Sequence, residues 1–140
     1  MKVKIKLLHQ DAKIPKYASE EAAGFDIYAI EDKVINKGEV AVLPTGLSLE
    51  LEKGYCLQFW DRGGMGVKGI HHFGGLTDSD YRGELKVIVF NATLAPYNIE
   101  KGDRIIQGVI LPVISAEFEE VESLSETKRG EGRFHSTGKK

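Results

Sequence analysis

Cysteine is almost missing from this chain: Cys56 is the only one in 140 residues, so no internal disulfide can form. A lone thiol suits a reducing compartment, and a cytoplasmic location is expected. No apolar run is long enough to cross a bilayer. The segment Met1-Lys2-Val3-Lys4-Ile5 alternates instead of building the apolar centre of a secretory signal. An excess of one charge is missing too. The 19 basic and 21 acidic residues leave a net charge of −2. That balance argues against a basic face for nucleic acid, yet it leaves room for a local pocket that grips a small anion. The four histidines are few and scattered, which gives no zinc-site spacing. His71 and His72 are neighbours, so on a strand they are expected to face opposite sides, which speaks against a shared metal. No serine or cysteine nucleophile sits with a histidine partner.

A sustained helical period is also absent, and strand patterns take its place. Val3, Ile5 and Leu7 alternate with Lys2, Lys4 and Lys6, which predicts one buried and one wet face. Further strands are expected over 40–43, 47–51, 55–60, 85–91, 105–113 and 116–121. Turn signals separate them, among them Asn36-Lys37-Gly38, Glu52-Lys53-Gly54 and Glu100-Lys101-Gly102-Asp103. At most one short helix fits, near Met65–Lys68. Short strands punctuated by Gly and Pro turns predict an all-β sandwich or barrel. With 41% hydrophobic and 29% charged residues, the chain suits one ordinary globular domain.

Two segments stand out as chemistry. The run Gly75-Leu76-Thr77-Asp78-Ser79-Asp80-Tyr81-Arg82-Gly83-Glu84 packs three carboxylates into an acidic turn that feeds the apolar strand Leu85–Asn91. Such a turn holds a carboxylate rigidly at a cleft edge. From Ser123 onward, Ser, Thr, Gly, Lys and Arg dominate, and Phe134 is the one large ring. A β domain over 1–122 with a mobile arm over 123–140 is therefore expected. Arg129, Arg133, Ser136 and Thr137 offer donors for phosphate oxygens. Glycines at 130, 132 and 138 allow close backbone approach.

Five segments, in order, resemble the motifs of the trimeric dUTPases. They are Ala23–Tyr28, Trp60–Gly66, Gly75–Glu84, Gly102–Gln107 and Arg129–Gly138, and the resemblance runs from about residue 3 to 138. It implies a jelly-roll-like β-clip fold and a homotrimer whose active sites draw on all three subunits. It also implies hydrolysis of dUTP to dUMP and pyrophosphate. Asp78 would activate the water that attacks the α-phosphorus. Tyr81 would pack under the deoxyribose, and the hairpin at Gly74 and Gly75 would pair its backbone with uracil. Arg62, Gly63, Gly64, Gln107, Arg129, Ser136 and Thr137 would hold the triphosphate, while Phe134 would stack on the base. Mg²⁺ would ride on the phosphates and reach Asp26 through water. Arg82 and Glu84 would support the turn.

The chain departs from the motif pattern at several positions. Gly63 stands where most members carry a serine whose hydroxyl contacts the oxygen bridging the α- and β-phosphates. Asp61 replaces a proline, Thr77 an isoleucine and His72 an asparagine, and Arg133 and His135 replace glycines of the arm. Two other functions compete. A dUTPase-like nucleotide-binding or regulatory protein would fit the loss of the serine, since a lost transition-state donor need not weaken binding. The related dCTP deaminases place a catalytic glutamate ten residues after the aspartate matching Asp78, where this chain has Ile88.

Overall fold

A computed structural model of the chain describes residues 1–132. Among them run β1 (Lys4–Leu7), β2 (Lys16–Tyr17), β3 (Phe25–Tyr28), β4 (Lys33–Ile35), β5 (Val40–Pro44), β6 (Leu47–Glu50) and β7 (Tyr55–Trp60). One helical turn follows, α1 (Gly63–Gly66), and then β8 (Ile70–Phe73), β9 (Leu76–Thr77), β10 (Lys86–Asn91), β11 (Tyr97–Ile99) and β12 (Arg104–Pro112). The fold is all-β, as the strand periodicity predicts. A five-stranded sheet has the order β2-β3-β12-β7-β9, and a three-stranded sheet has the order β5-β10-β8. Two ribbons, β1-β6 and β11-β4, complete the frame. All pairings are antiparallel.

Alternation decides which side chains enter the core. In β10, Val87 and Val89 point inward while Lys86 and Ile88 point out. Ile27, Ile35, Leu57, Ile70, Ile105 and Ile106 join them from the other strands, and Leu85 from the residue before β10. Polar groups inside this core are all paired. The Asn91 amide donates to the Ile35 and Ala95 carbonyls, and Thr45 Oγ1 donates to the Leu85 carbonyl at 2.6 Å. Gly108 lies opposite both Phe25 and Phe59 in the middle of β12. A Cβ there would sit 2.6 Å from the Phe25 ring and 2.8 Å from Leu57. Only glycine lets that ring lie flat over the strand.

Three expectations need correction. The helical turn ends at Gly66, earlier than expected, with Met65 as its buried side chain. The strand expected over 116–121 does not form; Ile114 and Phe118 are almost fully exposed. Apolar and polar residues alternate there only from Ala116 to Glu119, and among the described residues the segment pairs with no strand. The predicted buried face of β1 is only half-covered: Ile5 is partly buried and Leu7 is 46% exposed. Met1, Val3 and Ile5 border a groove of about 520 Å³ with Tyr17, Leu49 and Tyr55.

Candidate active site

The acidic turn is braced by hydrogen bonds from several sides. Gly74 and Gly75 take φ of 68° and 99°, a region open to glycine, and Gly75 accepts from the Phe59 N–H at 2.8 Å. A Cβ on Gly75 would also meet Phe59 at 2.9 Å. β9 then pairs with β7, Thr77 opposite Leu57, and delivers Asp78 to the turn. Tyr81 N–H donates to the Asp78 carbonyl, and Tyr81 Oη donates to the Glu84 carbonyl at 3.0 Å. Arg82 donates to the Ser79 and Tyr81 carbonyls at 2.7 and 2.9 Å. Ser48 holds the Arg82 carbonyl, and Glu84 accepts the Gly46 N–H. Gly75, Asp78 and Tyr81 thus line one cleft of about 280 Å³, with Phe59 and Lys86 beside them. The Asp78 side chain is exposed and free to meet water or ligand.

A second group gathers around Asp26. On the central strand β12, Gln107 lies opposite Asp26 of β3 on one side and Trp60 of β7 on the other. Asp26 is buried at 8% exposure, and its carboxylate accepts from Arg62 Nε at 2.9 Å and Arg104 Nη1 at 3.3 Å. Arg62 also donates to the Arg104 carbonyl, and Gln107 Nε2 donates to the Asp61 carbonyl at 2.7 Å. Two guanidinium groups on one carboxylate leave a net positive patch, which suits an anion. Gly63 and Gly64 follow Arg62, and a Cβ on either would meet no atom within 4 Å. Both Asp26 oxygens are engaged by guanidinium groups, so direct ligation of a metal does not fit. Each oxygen keeps a second lone pair that could accept a metal-bound water.

The two groups are not brought together within one chain. Sheet order puts β12 and β9 on opposite sides of β7, two strand spacings or about 10 Å apart. Arg62, Gly63, Gly64 and Gln107 are not among the residues that line the Asp78 cleft. Arg129 is exposed on a turn in which Gly130 N–H donates to Thr127, remote from β12 in sequence. Phe134, Ser136 and Thr137 lie outside the described residues.

Sequence reasoning overlooked three features. Arg104 shares Asp26 with Arg62, although it stands in the quoted fourth motif three residues from Gln107. Phe59 forms the cleft wall, hidden as an ordinary strand aromatic. The third is a correction: His71 and His72 do not keep to opposite sides. Both Nδ1 atoms reach the Asp61 carboxylate, His72 at 2.6 Å, and the His72 N–H joins them at 2.8 Å. Alternation still sets their exposure, 57% against 14% for the side chains. Asp61, however, offers one oxygen to each ring. Burial pushes the Asp61 pKa up, but the bonds from His72 and His71 outweigh it and hold the carboxyl below its ordinary range.

Comparison with known proteins agrees with this architecture. The dUTPase family model matches residues 10–138. The deoxyuridine 5'-triphosphate nucleotidohydrolase of Nautilia profundicola is 49% identical, over 99% of this chain and 100% of that protein. Among solved structures, the Staphylococcus bacteriophage 80alpha dUTPase with dUpNHpp superposes at a TM-score of 0.92 with 29% identity, covering 98% of both chains. A mutant dUTPase of S. aureus phage phi11, described for its coordination of a structural Mg(II) ion, shares the fold at a TM-score of 0.84 and 24% identity, over 90% of this chain and 100% of that one. These neighbours identify the sandwich as the jelly-roll-like β-clip that the motifs imply.

Proposed function

The chain belongs to the dUTPase family and is a dUTP diphosphatase, and we propose that it works by Asp78-activated attack of water on the α-phosphorus. The observation that carries this reading is the cleft that holds Gly75, Asp78 and Tyr81 on one braced turn. Phosphoanhydride hydrolysis needs an in-line water, a base, and positive groups that neutralise the charge on the leaving pyrophosphate. An exposed carboxylate at the cleft edge can take the proton of that water. Its turn is held by six side-chain and backbone bonds among Ser48, Ser79, Tyr81, Arg82 and Glu84 and their partners. The base therefore need not reorganise at the moment of reaction.

Uracil recognition falls to the backbone at Gly74 and Gly75, where the missing side chains let the ligand come close. Tyr81 sits three residues beyond Asp78 in the same cleft, with its hydroxyl tied to Glu84, which supports a role in packing under the deoxyribose and excluding a 2′-hydroxyl. Arg62, Gln107, Gly63 and Gly64 hold phosphate oxygens. Asp26 orients Arg62, since it accepts from Nε and leaves the outer guanidinium nitrogens for the anion and the Arg104 carbonyl. Asp26 would hold a phosphate-bound Mg²⁺ through one of its waters, and that ion would supply charge neutralisation. The arm brings Arg129, Phe134, Ser136 and Thr137 over the nucleotide.

Separation of the Asp78 cleft from the Arg62 patch supports a site shared between subunits of a homotrimer. The uncovered apolar segment at Ile114 and Phe118 and the half-covered groove beside β1 support the same assembly. Deamination has no support in the cleft, because Ile88 lines it where a deaminase needs an acid–base group. No helix among the described residues is long and apolar enough to cross a membrane, and the buried free thiol of Cys56 suits the cytoplasm. A pyrophosphate-release assay with dUTP, dCTP and dTTP tests the reading. Turnover confined to dUTP is expected; equal rates on dCTP or dTTP would contradict it.

A further inference from the structure

We propose that Asp61, His71 and His72 form a binding site for one divalent transition-metal ion of the Zn(II), Co(II) or Ni(II) class. Asp61 follows the end of β7, and the histidines open β8, which belongs to the other sheet. The site therefore spans the seam between the sheets, apart from the Asp26 carboxylate. One ligand atom from each of the three residues lies within 4.8 Å of the other two. A tetrahedral Zn(II) with bonds of about 2.0–2.1 Å needs its ligand atoms roughly 3.3 Å apart, a change within reach of small side-chain rotations. Two imidazoles and one carboxylate on one side of an ion suit these metals, and water would fill the open positions. Mg²⁺ prefers oxygen donors and is a poor match.

Competing positive charge is turned away from the site. Arg62, next to Asp61, spends its Nε on Asp26 at 2.9 Å. A metal on Nδ1 uses the ring lone pair, so the ring proton of each neutral imidazole sits on Nε2 and any further proton held between Nδ1 and Asp61 is released to water. His71 can place that proton in water, since its side chain is 57% exposed. Asp61 also carries the carbonyl that Gln107 holds, and His72 Nε2 would lie 3.4 Å from a Cβ on Gly75. A bound ion would thus brace the Arg62 loop against the Gly75 hairpin.

The test uses the untagged full chain, stripped with a chelator and titrated with Co(II) and then Zn(II). Visible absorption and calorimetry should give one saturable equivalent per chain, with Zn(II) displacing Co(II). His71→Gln, His72→Gln and Asp61→Asn should each weaken binding roughly tenfold or more, and His9→Gln should not change it. His71→Gln alters an exposed side chain, so it keeps the test valid if Asp61→Asn fails to fold. A wild-type protein without saturable binding would overturn the proposal and leave the cluster as a hydrogen-bonded clamp. Undiminished binding by the His71→Gln/His72→Gln double variant would overturn it as well, by placing the metal elsewhere.

Discussion

Gly63 is the position where this chain departs most sharply from the motif it resembles, and Gly63→Ser tests what that departure costs. Space is no obstacle: an added Cβ meets no atom within 4 Å, and the backbone is not in the left-handed region. Gly63 begins α1, whose N-cap Arg62 makes no side-chain capping bond. Serine there should also favour the helical turn by a few tenths of a kcal/mol. A hydroxyl would follow Arg62, on the loop proposed to hold the triphosphate. A donor aimed at developing charge in a preorganised site contributes about 3 kcal/mol. At about 1.4 kcal/mol per decade, that is roughly a hundredfold in rate. Any donation from neighbouring backbone N–H groups would make the gain smaller. A rise in kcat of roughly ten- to a hundredfold is therefore expected, with little change in KM. Steady-state pyrophosphate release from dUTP with Mg²⁺ measures it, alongside a check that the oligomer is intact. An unchanged or lower kcat would refute the reasoning and show that the leaving-group contact is made by another route, with His135→Gly the variant to examine next.

Gly108→Ala should destabilise the fold by about 1–3 kcal/mol, the usual cost of forcing an extra methyl into a packed core; an unchanged Tm would show that Phe25 can swing aside. Light scattering at micromolar concentration should return the mass of three chains, and a monomer would defeat the shared-site account. Truncation after Thr127 should leave that assembly folded, because residues 123–131 are exposed, while removing most of the activity. A fully active truncation would show that the arm does not bind substrate.

Strand positions were legible because each sheet face imposes its own period. Val87 and Val89 against Lys86 and Ile88 announce β10, and Gly75 announces a turn that no other residue could make. Segment 116–121 shows where that logic stops. Its short alternation suggests a strand, but alternation alone does not secure a partner, and among the described residues the segment pairs with none. The acidic turn was legible as a site because its carboxylates, tyrosine and glycines are contiguous. Arg104 and the Asp61–histidine cluster were not, because register sets them. β12 carries Arg104 beside Asp26, and the turn after β7 brings Asp61 under two neighbouring rings. Adjacent histidines on a strand look divergent until the acceptor beneath them is known.

Asp78→Asn bears most directly on the central claim. The substitution keeps the size and hydrogen-bonding shape of the side chain and removes its ability to accept the proton of water. Nucleotide affinity, measured by calorimetry with a non-hydrolysable dUTP analogue, should stay near that of the unaltered protein. The rate of dUTP hydrolysis should fall by roughly a hundredfold or more, the scale of a lost general base. Normal turnover by this variant would contradict the assignment of Asp78 and leave Asp80 as the carboxylate to test.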